Sequence, residues 1–166
     1  ALGNPGIDAV VVAPQQSTST ATLVASANKP VLALDTDFTS DKKACFVGTG
    51  NEDAALNGGK AVAEACKALG KDKPTAVIIA GVQGDETHEA RLRGYRDAIE
   101  AAGGQVLEVQ YTDTMPDKAA AAMEAVIQKY PNGVDAVLSI ADDMALAAAK
   151  VIKDSGNTNY ADTVLC

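Results

Sequence analysis

The sequence predicts an α/β fold in which parallel sheets are flanked by helices. Three observations carry the prediction. The apolar pattern switches repeatedly between the period of a strand and the period of a helix. The strand segments are continuous apolar runs rich in β-branched residues, as strands covered on both faces are. Gly, Pro and capping residues stand where the period changes.

Ile7–Ala13 is the first apolar run, a strand bounded by turn residues. Ser17 to Asn28 follows as a helix, with Ser and Thr available as N-caps and Leu23, Val24 and Ala27 on one face. Pro30–Leu34 and Ala44–Val47 read as two short buried strands. Glu52–Leu69 is a helix with Asn51 in the N-cap position and Gly70 just past its end. Thr75–Ala80 is a strand, Thr87–Ala102 a helix stopped by Gly103-Gly104, and Gln105–Tyr111 a strand. Pro116 opens a helix at its favoured first position and Pro131 closes it. Val134–Ala141 is a strand, Asp142–Asp154 a helix and Thr163–Cys166 a last strand. The opening Ala-Leu-Gly-Asn-Pro-Gly reads as the end of a helix and a loop, and Thr163–Cys166 as a strand in progress, so the fold is expected to be incomplete at both ends.

The composition narrows the class. A chain of 166 residues holds one ordinary domain or two incomplete ones. Apolar residues make up 47% and charged residues 22%, which is globular composition. No apolar run approaches the ~20 residues that a membrane helix needs. The net charge of −8, with no cluster of Lys and Arg, argues against a nucleic-acid partner. Cys45, Cys66 and Cys166 lack the CxxC or Cys/His spacing of a zinc site. Cys45 and Cys66, among apolar neighbours, read as small core residues, with a disulfide as the alternative.

In parallel α/β sheets ligands bind beyond the carboxyl ends of the strands. The segments there are Pro14–Ser17, Asp35–Phe38, Gly48–Asn51, Gly81–Arg91, Thr112–Met115 and Asp142-Asp143, and they hold most of the unusual residues. The alternation of strand and helix breaks once. Asp35 to Lys43 has no room for a helix, so two strands are joined directly before the long helix that follows Asn51. A chain could leave one lobe and enter another at that point, which predicts a hinge at Thr49, Gly50 and Asn51.

Two chemistries compete for the acidic strand ends. Asp35-Thr36-Asp37-Phe38-Thr39 matches the DxDxT pattern of haloacid-dehalogenase-like phosphatases, in which one Asp attacks phosphorus and the next serves as acid/base beside Mg²⁺. Asp142-Asp143 resembles the acidic metal-binding motif of the same family, and two carboxylate pairs suit an oxygen-ligand Mg²⁺ site. Against this reading, that family opens on its nucleophile strand, whereas here a complete βα unit comes first. It also needs a Lys against the phosphoryl charge, and none stands at an obvious strand end between the two motifs.

A second resemblance spans nearly the whole chain. Ile7-Asp8-Ala9-Val10-Val11-Val12-Ala13-Pro14, Lys29-Pro30-Val31-Leu32-Ala33-Leu34-Asp35 and Phe46-Val47-Gly48-Thr49-Gly50-Asn51 occur in that order. Arg91-Leu92-Arg93-Gly94-Tyr95 follows, then Val134-Asp135-Ala136-Val137-Leu138 with Asp142-Asp143-Met144-Ala145-Leu146. In order and spacing these five segments resemble the type I periplasmic sugar-binding proteins of the ribose/galactose-binding kind. The resemblance implies the two-lobed type I periplasmic-binding-protein fold, here the remainder of an N-terminal lobe (residues 1–49) and most of a C-terminal lobe (residues 50–166).

It also implies a binding protein and no enzyme, so no catalytic residue, cofactor or metal. A sugar is held by ionised side chains in a cleft that excludes water, carboxylates accepting from hydroxyls and Arg donating through its planar fork. Asp35 falls on the family's first-lobe ligand Asp, and Arg91 on its second-lobe ligand Arg. Asp142 falls where the family usually has Asn, which favours another hydroxyl pattern or a cationic group. Asp143 falls on a helix-capping position. Asp37 and Phe38 are further first-lobe contacts; in a chain that is 4% aromatic and has no Trp, a stacking aromatic is expected from Phe38 or from a segment N-terminal to this one. His88, the only histidine, lies in the loop before Arg91. Each has a plainer reading: a turn cap for Asp35, a solvated charge paired with Glu86 for Arg91, an incidental role for His88.

The resemblance implies a small sugar or polyol as ligand and a membrane ABC permease as partner, with a chemoreceptor as a second candidate. It further implies a monomer, with periplasmic location after loss of a signal peptide, or an extracytoplasmic anchored form in a Gram-positive source. Repressors of the lactose-repressor type share the same core behind a basic helix-turn-helix, and they form the third reading.

Overall fold

The computed structural model describes residues 2–166, so Ala1 lies outside the described residues. The chain forms β1 (Val10–Val12), α1 (Ser17–Val24), β2 (Val31–Leu34), β3 (Lys43–Val47), α2 (Asn51–Ala68) and β4 (Thr75–Ala80). It continues through α3 (Glu86–Ala101), β5 (Gln105–Tyr111), α4 (Pro116–Lys129), β6 (Ala136–Ser139), α5 (Asp142–Ser155), a 3₁₀ turn (Thr158–Tyr160) and β7 (Val164–Leu165). Each predicted element is present, and every strand pair is parallel. The strands fall into two sheets, β1-β2-β3 and β5-β4-β6-β7.

The two sheets are covered differently. In the second, α2 packs on α3 and α4 on α5. All four residues of β6 and all but the first of β4 are buried. Side chains alternate across a strand, so burial at successive positions means that both faces are covered. This core holds Val77, Ile78, Ile79, Ile99, Met123, Leu138 and Met144. The first sheet has one short helix over it and a small core of Val24, Ala27, Val31, Ala33 and Phe38. Val11, Leu34 and Val47 on its strands stay exposed.

Several expectations are corrected. Cys45 is exposed on β3, whereas Cys66 is buried as predicted, and all three cysteines are free thiols. Asn51 is the first residue of α2 and does not cap it; Gly50 holds the cap position. The helix expected from Thr87 begins at Glu86, because the Asp85 carboxylate accepts the His88 amide at 3.1 Å and caps it. Neither Asp142 nor Asp143 caps α5, where Ala141 holds the cap position. Both acids lie in the first turn, where the helix dipole favours negative charge. The first helix ends at Val24, short of Asn28.

Candidate functional site

The carboxyl ends of β6 and β7, the starts of α2 and α5 and one face of α3 surround a cavity of about 260 Å³ lined by Thr49, Asn51, Arg91, Tyr95, Asp142 and Cys166, among others. Arg91 is its organising side chain. Nε donates to Asn51 Oδ1 at 2.8 Å and Nη1 donates to the Ile140 carbonyl at 2.7 Å. Asn51 is fixed in turn, its Nδ2 donating to the Thr49 carbonyl at 3.0 Å. The guanidinium is therefore held from α2 and from the end of β6, and its other N–H groups remain to donate into the cavity. The plainer alternative, a pairing of Arg91 with Glu86, does not form. Arg93 takes that carboxylate at 2.8 Å and Glu52 at 2.9 Å.

Tyr95, four residues along the same helix, donates its hydroxyl to the Ser139 carbonyl at 3.2 Å. Burial above all, then the nearby Cys166, pushes this phenol up to about 12, so it is a neutral donor at any ordinary pH. Asp142 is exposed at the first position of α5.

The first-sheet residues divide. Asp35 follows β2 with φ +65°, a left-handed conformation uncommon outside glycine. Its amide donates to the Val47 carbonyl at 2.9 Å, which ties it to the end of β3 and leaves the residue exposed. Such strain persists where the surroundings over-determine it, and it clusters at ligand sites. Asp37 accepts the Phe38 amide at 2.8 Å and pairs with Lys43 at 2.5 Å. With Phe46, Thr49, Asn51, Glu86 and Thr87 it lines a neighbouring cavity of about 220 Å³. Phe38 is 1% exposed and packed in the first sheet's core, so it offers no face for stacking on a sugar, against expectation. His88 is turned inward, Nδ1 accepting the Val82 amide at 3.1 Å, which leaves the ring proton on Nε2. It lines neither cavity.

Thus Arg91, Asp142, Thr49 and Asn51 meet around one cavity, and Asp37 joins Thr49, Gly50 and Asn51 around the next. Asp35 lies outside both. A larger cavity of about 530 Å³ lies between α4 and α5 with walls that include Ile127 and Val151. It is remote from the strand ends, and the candidate site is the pair of cavities where strand ends and polar groups converge. Sequence reasoning missed Tyr95 and Cys166. The i, i+4 spacing of Arg91 and Tyr95 was a usable signal, since it puts both on one helix face. The phosphatase reading is not favoured. Asp35 and Asp37 follow the first sheet and Asp142 and Asp143 the second, and among the described residues no three acidic, His or Cys side chains gather as cation ligands.

Two parallel sheets joined through Thr49–Asn51, with polar residues from the strand ends around a cavity at the join, make the two-lobed fold of parallel sheets flanked by helices. The family model for the periplasmic binding protein domain matches residues 2–164, and the chain belongs to that family. It is similar to the D-ribose/D-allose-binding protein of Pseudomonas aeruginosa, with 27% identity over 96% of this chain and 51% of that protein. A shorter match, 42% identical over 47% of this chain and 23% of the relative, is to the HTH-type transcriptional regulator CelR of Thermobifida fusca. Among solved structures, an ABC transporter solute-binding protein from Mycobacterium smegmatis with bound glycerol superposes with a TM-score of 0.79 and 27% identity. That superposition covers 96% of this chain and 54% of the other. The chain spans about half the length of the solute-binding relatives it matches.

Proposed function

We propose that this chain is part of the solute-binding component of an ABC-type sugar importer, holding a monosaccharide or related polyol between two lobes and catalysing nothing. The observation that carries the reading is Arg91, anchored on Asn51 and the Ile140 carbonyl with donors left over for the cavity that Asp142 also lines. A pre-oriented guanidinium loses little entropy on binding and donates charge-assisted hydrogen bonds to ligand oxygens. Asp142 from the second lobe, and Asp35 and Asp37 from the first, supply carboxylates that accept ligand hydroxyls. His88 is a lesser candidate, since its Nδ1 is occupied.

The lobes comprise residues 1–49 and 50–166 and close about Thr49, Gly50 and Asn51. The partner is a membrane permease that reads the loaded form, and the protein acts as an extracytoplasmic monomer. The solute-binding relatives match over nearly the whole chain and the regulator over less than half, which favours import over transcriptional control.

The test is a thermal-melt screen of the intact gene product against D-ribose, D-allose, other pentoses and hexoses, and polyols. A ligand at ~1,000 times its Kd adds about 4 kcal/mol of stability, a clear rise in Tm. One sugar should raise the melt in wild type and fail to do so in Arg91→Ala at the same concentration. A screen in which no sugar moves the melt would overturn the proposal, as would an undiminished shift in Arg91→Ala.

A further inference from the structure

Among the described residues, one hydrogen bond joins residues 2–48 to residues 52–166 directly, and it runs through Ser17. Ser17 opens α1 and is 8% exposed. Its hydroxyl donates to the Asp37 carbonyl at 2.6 Å and accepts the Glu86 amide at 3.2 Å. The same oxygen is thus donor within the first half and acceptor across to the second. A hydroxyl can fill both roles, whereas an alanine can fill neither.

Both partners are well placed. Asp37 is immobilised through its carboxylate by Lys43 and the Phe38 amide. Glu86 N–H belongs to the first turn of α3, whose amides have no partner within the helix. The Asp85 cap accepts the His88 amide, so the Glu86 amide is left to find an acceptor elsewhere.

We propose that Ser17 is a positioning residue, a latch whose hydroxyl holds the two halves in the ligand-retaining arrangement by gripping the helix that carries Arg91. The ligand role of Arg91 rests on the function proposed above; the latch itself rests on the Ser17 geometry. Arg91 stands five positions beyond Glu86 on one rigid helix, so fixing the first amide of α3 against Ser17 also fixes the guanidinium relative to the first half. Opening breaks the bond and hydrates both partners. The latch therefore acts on how long a ligand is kept, since a contact made after encounter changes the off-rate more than the on-rate.

The experiment compares the intact gene product as wild type, Ser17→Ala and Ser17→Thr. Stopped-flow measures release of whichever sugar raises the wild-type melt, and small-angle X-ray scattering measures each protein without sugar. Ser17→Ala should release the sugar about fivefold faster with an unchanged association rate, the size of one lost hydrogen bond. It should also scatter as a more open molecule. Ser17→Thr, which keeps the hydroxyl, should behave as wild type in both measurements. Wild-type release and wild-type scattering from Ser17→Ala would overturn the latch. If wild type bound none of the sugars, the proposed function would fall, and the scattering of Ser17→Ala against wild type would still decide the latch.

Discussion

Asp135 illustrates how much one carboxylate can hold. It stands just before β6 and accepts the Thr75 amide at 2.8 Å and the Thr75 hydroxyl at 2.7 Å, with Lys71 at 3.4 Å. The starts of the two central strands are joined through this one side chain. Burial opposes its ionisation, but the Thr75 amide and hydroxyl together with Lys71 outweigh burial and hold the carboxyl below its ordinary value of 3.8. A depressed carboxylate contributes stability that is fully present above 3.8 and is lost as pH falls through the lower folded value. Asp135→Ala should therefore cost about 2 kcal/mol at pH 7, seen as a lower urea midpoint, with the gap from wild type narrowing as pH falls below 3.8. A gap independent of pH would remove the charge from the account. In the sequence Asp135 was visible as part of an apolar strand motif, but its role was not, because Thr75 lies in a different strand. The same limit applies to Arg91. Its place after a strand was legible, while its anchor Asn51 comes from another helix and left no local trace.

Helix packing explains a glycine whose local chemistry argues for alanine. In the middle of a helix Gly costs about 1 kcal/mol relative to Ala. Gly94 nevertheless lies within α3 where α2 crosses it. A Cβ there would meet the Glu52 carbonyl at 2.3 Å, the Leu56 amide at 2.7 Å and the Ala55 Cβ at 2.9 Å. Two of these three atoms are backbone and cannot turn aside. The clash outweighs the propensity gain, and Gly94→Ala should destabilise by roughly 2 kcal/mol or more, since overpacking forces backbone shifts. A chemical-denaturation midpoint at or above wild type would show that α2 and α3 slide apart at little cost. The elements themselves were legible because period and punctuation are local: α4 runs from Pro116 to just short of Pro131, as the two prolines predict. The crossing of α2 and α3 was not, because it depends on residues about forty positions apart. Phe38 failed for a similar reason. An aromatic in a polar loop reads as a surface contact until Val31 and Ala33 are seen beneath it.

At the scale of the molecule the two sheets differ in what covers them, and the difference predicts unequal stability along the chain. Strands β2 and β4 look alike in sequence, both short and apolar, so the pattern assigned them equal burial. In the structure Val77, Ile78 and Ile79 of β4 are 0% exposed, whereas Leu34 of β2 is 46% and Val11 of β1 is 62% exposed. Burial belongs to the layer above a strand, which the strand's own residues do not specify. The second sheet joins the large core beneath four helices, while the first rests on five small-core residues beneath α1. Elements with few buried apolar contacts open locally at lower free energy than the global transition. In the 166-residue chain, native-state hydrogen exchange should show β4 and β6 amides exchanging only through global unfolding. Amides of β1, β2 and β3 should exchange through sub-global opening, at a lower free energy and with a smaller denaturant dependence than the global transition. Bound sugar, by gripping both halves, should raise first-sheet protection more than second-sheet protection, because the low-energy opening is the one that ligand must suppress. Matching exchange free energies in the two sheets would mean that the chain unfolds as one cooperative unit, with the Thr49–Asn51 connection carrying stability as well as connectivity.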